Sequence, residues 1–189
     1  MIEYTTTESE HDLRGIIDLQ RRNLPVNLSA EEIASQGFVT VVHDLDVLRK
    51  MHAIEPSVIA RDKGTVVAYL LAMTAQSKMD VPVLIPMFEL FDSLQFRGRS
   101  LSSFNYLVVG QVCVDKAYRG QGILDACYKH YQQCFSGKYD LAITEIASSN
   151  LRSLKAHRRV GFQTIHEYSA PDGERWCIVL LVWQADRAL

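Results

Sequence analysis

Residues 104–135 read FNYLVVGQVCVDKAYRGQGILDACYKHYQQCF, and the change of texture along this stretch decides the fold. Phe104–Val114 is rich in β-branched residues and reads as a strand. Asp115–Gly122 carries two glycines and reads as a turn. Ile123–Phe135 sets Ile123, Leu124, Cys127, Tyr128, Tyr131 and Phe135 on one side of a helix. A strand that passes through a glycine turn into a helix leaves N–H groups unpaired at the helix start, where the helix dipole also favours an anion. Glycine lets a diphosphate approach that backbone closely. A GxGxxG dinucleotide fingerprint is not met, because Asp125 stands at the third glycine position.

Toward the C-terminus, Tyr139–Ala147 reads as a second strand and Asn150–Val160 as a helix stopped by Gly161. Gln163–Ser169 and Arg175–Trp183 read as two last strands around Pro171-Asp172-Gly173. Alternation puts Leu141, Ile143 and Glu145 on one face, so a carboxylate ends an apolar row. Such a position raises a carboxyl's pKa and suits it to base chemistry. Asn150 and His157 lie about two helical turns apart and share an azimuth. Glu145, Asn150 and His157 are therefore expected to line one cleft. Lys155-Ala156-His157-Arg158-Arg159 is the densest basic run and reads as a solvated helix face.

Toward the N-terminus, Ile2–Thr7 reads as a strand and Glu8–Asn23 as a helix with Leu13, Ile16, Ile17 and Leu19 at helical spacing. Ser29-Ala30-Glu31-Glu32 resembles a capping box, opening a helix that stops near Gly37. A short helical pattern runs from His43-Asp44 to Met51, and Ser57–Arg61 and Thr65–Thr74 form a hairpin around Asp62-Lys63-Gly64. Residues 75–103 break this rhythm. Pro82 and Pro86 interrupt regular structure, while Phe88, Leu90, Phe91 and Leu94 crowd a short helical stretch. The whole is an α/β pattern, with parallel pairing in the second half and antiparallel hairpins at the edges.

Composition narrows the function classes. The chain has 189 residues, 48% hydrophobic and 22% charged, with a net charge of −2, as expected of one globular domain. No basic excess points to nucleic acid, and no stretch has the length of a membrane span or a signal-peptide pattern. Cys113, Cys127, Cys134 and Cys177 form no CxxC pair and no metal-ligand spacing. Free buried thiols, no metal and a reducing cytoplasm are the expectation.

The two motifs, in this order, resemble the GNAT superfamily of N-acetyltransferases. That family's cofactor motif runs from a valine through Arg or Gln to a glycine and a small residue. Arg119 and Gly122 match it, and Leu124 stands where a small residue is usual. The later motif runs from an acid through Asn, a small residue and Tyr to Gly-Phe. Glu145, Asn150, Gly161 and Phe162 match; Ser153 and His157 replace the small residue and the tyrosine. The resemblance spans about residues 1–74 and 104–183 and is specific in 112–162.

The resemblance implies a mixed, mostly antiparallel central sheet with a parallel splayed strand pair and helices on both faces. Residues 75–103 become an insertion in a single domain, expected to cover the acceptor side of the cleft. Acetyl-CoA is the implied co-substrate. Its pantetheine arm would pair with the backbone of Val112, Cys113 and Val114. Its diphosphate would lie at Arg119, Gly120, Gln121, Gly122, Ile123, Leu124 and Asp125, and Asn150 would bond the cofactor or cap its own helix. The implied reaction is direct attack by a primary amine, on a small molecule or a peptide, within a ternary complex. Glu145 is the expected base and His157 the expected acid, with Tyr106, Tyr118 and Tyr168 as stand-ins; a homodimer is compatible with the family. Two alternatives stay open: an acyl-CoA-binding module without turnover, and an unrelated nucleotide binder using the Arg119–Gly122 turn.

Overall fold

The computed structural model describes residues 1–36, 38–39 and 41–184. The elements follow in the order β1 (Ile2–Thr6), α1 (Glu10–Arg22), α2 (Ala30–Gln36), α3 (Leu45–Ile54), β2 (Val58–Asp62), β3 (Thr65–Met73), α4 (Ile85–Ser93), β4 (Gln95–Phe96), β5 (Arg99–Ser100), β6 (Tyr106–Val114), α5 (Ile123–Phe135), β7 (Leu141–Ala147), α6 (Leu151–Arg159), β8 (Gln163–Ser169) and β9 (Arg175–Val182). Ser29 and Glu32 make the reciprocal bonds of a capping box at the start of α2 (3.1 and 3.2 Å). The expected stop at Gly37 lies outside the described residues.

Seven strands form one sheet in the order β1-β2-β3-β6-β7-β9-β8, and β4 and β5 make a separate two-stranded ribbon. Every neighbouring pair in the large sheet is antiparallel except β6 and β7, which α5 connects as a parallel crossover. That parallel pairing is short. It covers Tyr106↔Leu141, Leu107↔Ala142 and Val108↔Ile143, and then the two strands part. Beyond this point β6 stays with β3 as far as Val114↔Ala68, and β7 stays with β9 as far as Ala147↔Trp176. The Thr144 hydroxyl donates to the Val109 carbonyl (2.8 Å), a side-chain bond at the point of divergence. The β6 register also shifts between the partners of Leu70 and Ala72, so Gly110 and Gln111 form a bulge. A Cβ at Gly110 would lie 3.3 Å from two Met73 side-chain atoms, so this kink is tightest with glycine.

Each face of the sheet carries its own core. On one, Leu13, Ile16 and Leu19 of α1, Leu48 and Met51 of α3 and Phe88 and Phe91 of α4 pack over Tyr69, Val108, Ile143 and Leu180. On the other, Ile123, Cys127, Tyr128, Tyr131 and Phe135 of α5 cover Val58, Leu70, Val109 and Val179. Among the described residues no helix is long and apolar enough to cross a membrane.

The structure corrects the reading of residues 75–103. Pro86 sits in the first turn of α4, where its missing N–H is unneeded, so it helps start a helix instead of interrupting one. Phe88 and Phe91 are 1% and 0% exposed and pack at the edge-to-face pair Phe91–Tyr106 (6.2 Å), so they belong to the core and not to an acceptor surface. Two boundaries also move inward: β6 begins at Tyr106 and β7 at Leu141. Phe104 is instead buried after a 3-10 turn, and the Tyr139 hydroxyl donates to Glu55 (2.9 Å).

Two histidines are buried within this framework. The His43 Nδ1 accepts from the Gln20 amide (2.9 Å), whose nitrogen also donates to Gln111 Oε1 (2.7 Å). His43 Nε2 is buried without a hydrogen-bond partner among the described residues. His157, 4% exposed, bonds Tyr128 and the Ser153 carbonyl. Burial depresses both rings to about 4.

Two outcomes follow. Phe91→Ala should cost about 3–5 kcal/mol in urea unfolding. The histidines give a pH window: a ring held neutral in the fold contributes fully above its unfolded pKa near 6.5. That contribution falls away as the pH drops from 6.5 to about 4. The loss should be on the order of 3 kcal/mol per histidine. Urea titrations across pH 4–7 should show this loss, and His157→Phe should flatten part of it.

Candidate active site

The turn after β6 is built from its own side chains. Asp115 accepts from the Ala117 amide (3.0 Å), and its backbone N–H bonds the Val67 carbonyl (2.8 Å), holding the strand end against β3. The Arg119 guanidinium donates to the Val114 carbonyl (3.1 Å) and to Asn23 at the end of α1 (2.6 Å). Gly120 and Gly122 both adopt left-handed backbone, at φ 77° and 76°, with open space where a Cβ would point. The chain thereby enters α5 at Gly122, whose carbonyl accepts from Ala126 (3.1 Å). By helix geometry the N–H groups of Ile123, Leu124 and Asp125 have no acceptor within the helix.

These groups border a cavity of about 760 Å³. Its walls are Val112–Val114 of β6, Arg119, Gly120 and Gly122 of the turn, Ile123–Asp125 of α5, and the Asn150–Ser153, Lys155–His157 and Arg159 side of α6. Most of the residues expected from the motif thus meet around one space. Gln121 does not: its amide turns back to the Ala117 carbonyl (2.9 Å), away from the cavity wall. Leu124 packs against the α5 core.

The basic run of α6 is the residue set that the sequence reading missed. Arg152, Lys155 and Arg159, spaced by three and four, share the helix face that lines the cavity. The helical period was the available signal. Arg159 forks onto Asp125 across the cavity mouth (3.0 to 3.2 Å), neutralising the carboxylate that stands in the first turn of α5. Asn150 Oδ1 accepts from the Ser153 amide (3.1 Å), capping α6.

His157 is neither a surface residue nor a free proton donor. Its Nδ1–H points to the Ser153 carbonyl (2.8 Å), so Nε2 accepts from the Tyr128 hydroxyl (2.6 Å). Phe162 and Tyr128 meet its ring edge-to-face at 5.1 and 5.4 Å. With the ring's pKa pushed down to about 4 by burial, the one proton it holds at neutral pH is already bonded. This overturns the surface reading and opposes the expected role as an acid. Cys113 is also inert: burial lifts its thiol to about 12.

A second space of about 90 Å³ continues inward from the first where β6 and β7 part. Val112, Asn150, Ser153 and His157 border both. Glu145 stands in its wall with Thr144, Gln111 and Trp176, so Glu145, Asn150 and His157 do share a cleft. The Tyr168 hydroxyl donates to Glu145 Oε2 (2.6 Å) from β8, where Tyr168 pairs with Trp176. Burial raises the Glu145 pKa, and the Tyr168 bond only partly offsets it. Burial beside that carboxylate raises the phenol as well. Gln111 is fixed by its neighbours: Oε1 accepts from Gln20 and Tyr69 (2.7 and 2.5 Å), and Nε2 donates to the Val41 carbonyl (2.7 Å). Among the described residues no group of three His, Cys, Asp or Glu side chains is placed to hold a metal ion.

Comparison with known proteins agrees with this geometry. The fold matches the ribosomal-protein-S18-alanine N-acetyltransferase of Escherichia coli at TM-score 0.58 and 16% identity, over 97% of this chain and 95% of that one. It matches a chain of the NatC complex bound to Gag peptide and CoA at 0.63 and 14%, over 96% and 98%. It matches yncA of Salmonella typhimurium, with its cofactor acetyl-CoA, at 0.63 and 12%, over 97% and 95%. Identities this low establish shared architecture only. No curated protein sequence matches the chain significantly. The sequence profile of the Acetyltransferase (GNAT) family matches residues 27–162, which takes in the turn, α5, the Glu145 strand and all of α6. The chain belongs to the acetyltransferase (GNAT) family.

Proposed function

We propose that this protein is an N-acetyltransferase that moves the acetyl group of acetyl-CoA to a primary amine within a ternary complex. The observation that carries this reading is the junction of the two spaces. A cavity with a cationic wall meets a small one holding a half-buried carboxylate, at the point where β6 and β7 separate. Acetyl-CoA, when bound, supplies an acetyl thioester. The residues fit it: the free N–H groups at the start of α5 and the cations Arg152 and Lys155 suit its phosphates. The backbone of Val112–Val114, left without a β7 partner, suits an extended amide-bearing arm.

An alkylamine is mostly protonated at neutral pH, with a pKa of about 10.4, and must lose a proton to expose its lone pair. Glu145 is the base in this reading. Its raised pKa brings it closer to the working pH, and Tyr168 holds the carboxylate by one oxygen while the other stays available. One N–C bond forms as one C–S bond breaks. The ammonium gives up two protons in all: one leaves through Glu145 to solvent, and one converts the departing thiolate to the thiol. His157 and Tyr128 position α6 against α5 and supply no proton.

Thiol release with a panel of amines tests the reading; tight binding of acetyl-CoA without transfer to any amine would make the chain a binding module. Glu145→Gln should lower kcat by about 10²-fold or more with little change in acetyl-CoA affinity. Because the base acts deprotonated, wild-type kcat/KM should rise with pH through a pKa above the ordinary carboxylate range, and this acidic limb should vanish in Glu145→Gln. On the cofactor side, acetyl-CoA should raise the melting temperature, and Lys155→Glu should weaken that shift most strongly at low salt.

A further inference from the structure

The two halves of the cleft carry opposite charge, and this bears on the acceptor. The outer space is bordered by Arg119, Arg152, Lys155 and Arg159 against one acid, Asp125, which Arg159 already neutralises. In the inner space the charged side chain is Glu145, flanked by the carboxamide of Gln111 and the indole of Trp176. The remaining histidine there, His157, is held neutral.

We propose that the acceptor is a primary amine with no anionic group next to its nitrogen, bound as an ammonium against Glu145 and Trp176 in the inner cavity. This rests on the acetyl-transfer reading. A cation entering the small space gains a carboxylate oxygen that Tyr168 does not occupy, and a π-face that attracts positive charge. An α-amino acid would bring its own carboxylate into the same space. That group would come close to the Glu145 carboxylate with no lysine or arginine among the described lining residues, and two like charges at such a distance repel. The Gln111 amide is no remedy, because Gln20, Tyr69 and Val41 already fix its orientation. Alkylamines, amidated amino acids and amines on peptides meet the requirement; free α-amino acids do not.

Matched acceptors that differ by one carboxylate beside the amine test this: tyramine against tyrosine, ethylamine against alanine, and glycinamide against glycine. Acetyl transfer is followed by thiol release, and binding of each amine to the CoA-saturated protein is measured by calorimetry. The carboxylate-free member of each pair should show kcat/KM at least about tenfold higher, with the same order in affinity. Trp176→Arg should narrow the gap by supplying the missing cation. Equal kcat/KM or equal affinity within pairs overturns the inference, as does failure of every amine to bind. Selective binding of the carboxylate-free amines without any acetyl transfer would uphold the inference about the pocket and overturn the transferase reading.

Discussion

The site depends on the short pairing of β6 with β7. Each strand is committed to a different partner, β6 to β3 and β7 to β9, and only three residue pairs bridge them before they diverge. A backbone edge inside a protein needs hydrogen-bond partners, so such an opening persists where a ligand or water can supply them. The Thr144 hydroxyl supplies one bond at the divergence, and the Gly110–Gln111 bulge bends β6 away from β7. Past that point the backbone of Val112–Val114 is left without a β7 partner. Glu145, two positions beyond the last paired residue of β7, comes to the wall of the gap.

The bulge also bears on why a glutamine is buried beside the cleft. Gln111 is the link between the strand, α1 through Gln20, and the segment that passes over it through Val41 and His43. Its polar atoms are matched by neighbours, which makes the cost of burying an amide small and the orientation of this wall definite. Within that network His43 Nε2 is buried without a partner among the described residues, and it is the network's weak point in acid.

Charge is divided by the secondary structure itself. A helix start and a basic helix face lie on the α5 side, where Val112 and Val114 also point. Cys113 joins the opposite core, under α1, α3 and α4. Alternation along a single strand thus gives the two sides of the sheet different chemistries. The α4 segment finishes the second side. Without Phe88 and Phe91, the start of β6 at Tyr106 would lose its cover, which is why an interrupting stretch of sequence behaves as core.

By itself the sequence determined the strand–turn–helix at 104–135, the family motif, and the paired use of glycines at 120 and 122. These are local: β-branched runs, left-handed glycine positions and helical spacing act over a few residues. It also placed Glu145 at the end of an apolar row. Tertiary structure decided what lay across from each of these. Tyr168 and Trp176 reach Glu145 only because β9 inserts between β7 and β8. The chemistry of His157 was set by Tyr128, twenty-nine residues away, which claimed the nitrogen that a proton donor would have needed. The basic residues of α6 are solvated, as read, but that Arg152, Lys155 and Arg159 also border a cavity depends on α5 standing opposite them. Pro86 read as a breaker because its place in the first turn depends on where α4 begins. Burial and partnership are properties of distant contacts, and those contacts set each pKa and each available hydrogen bond.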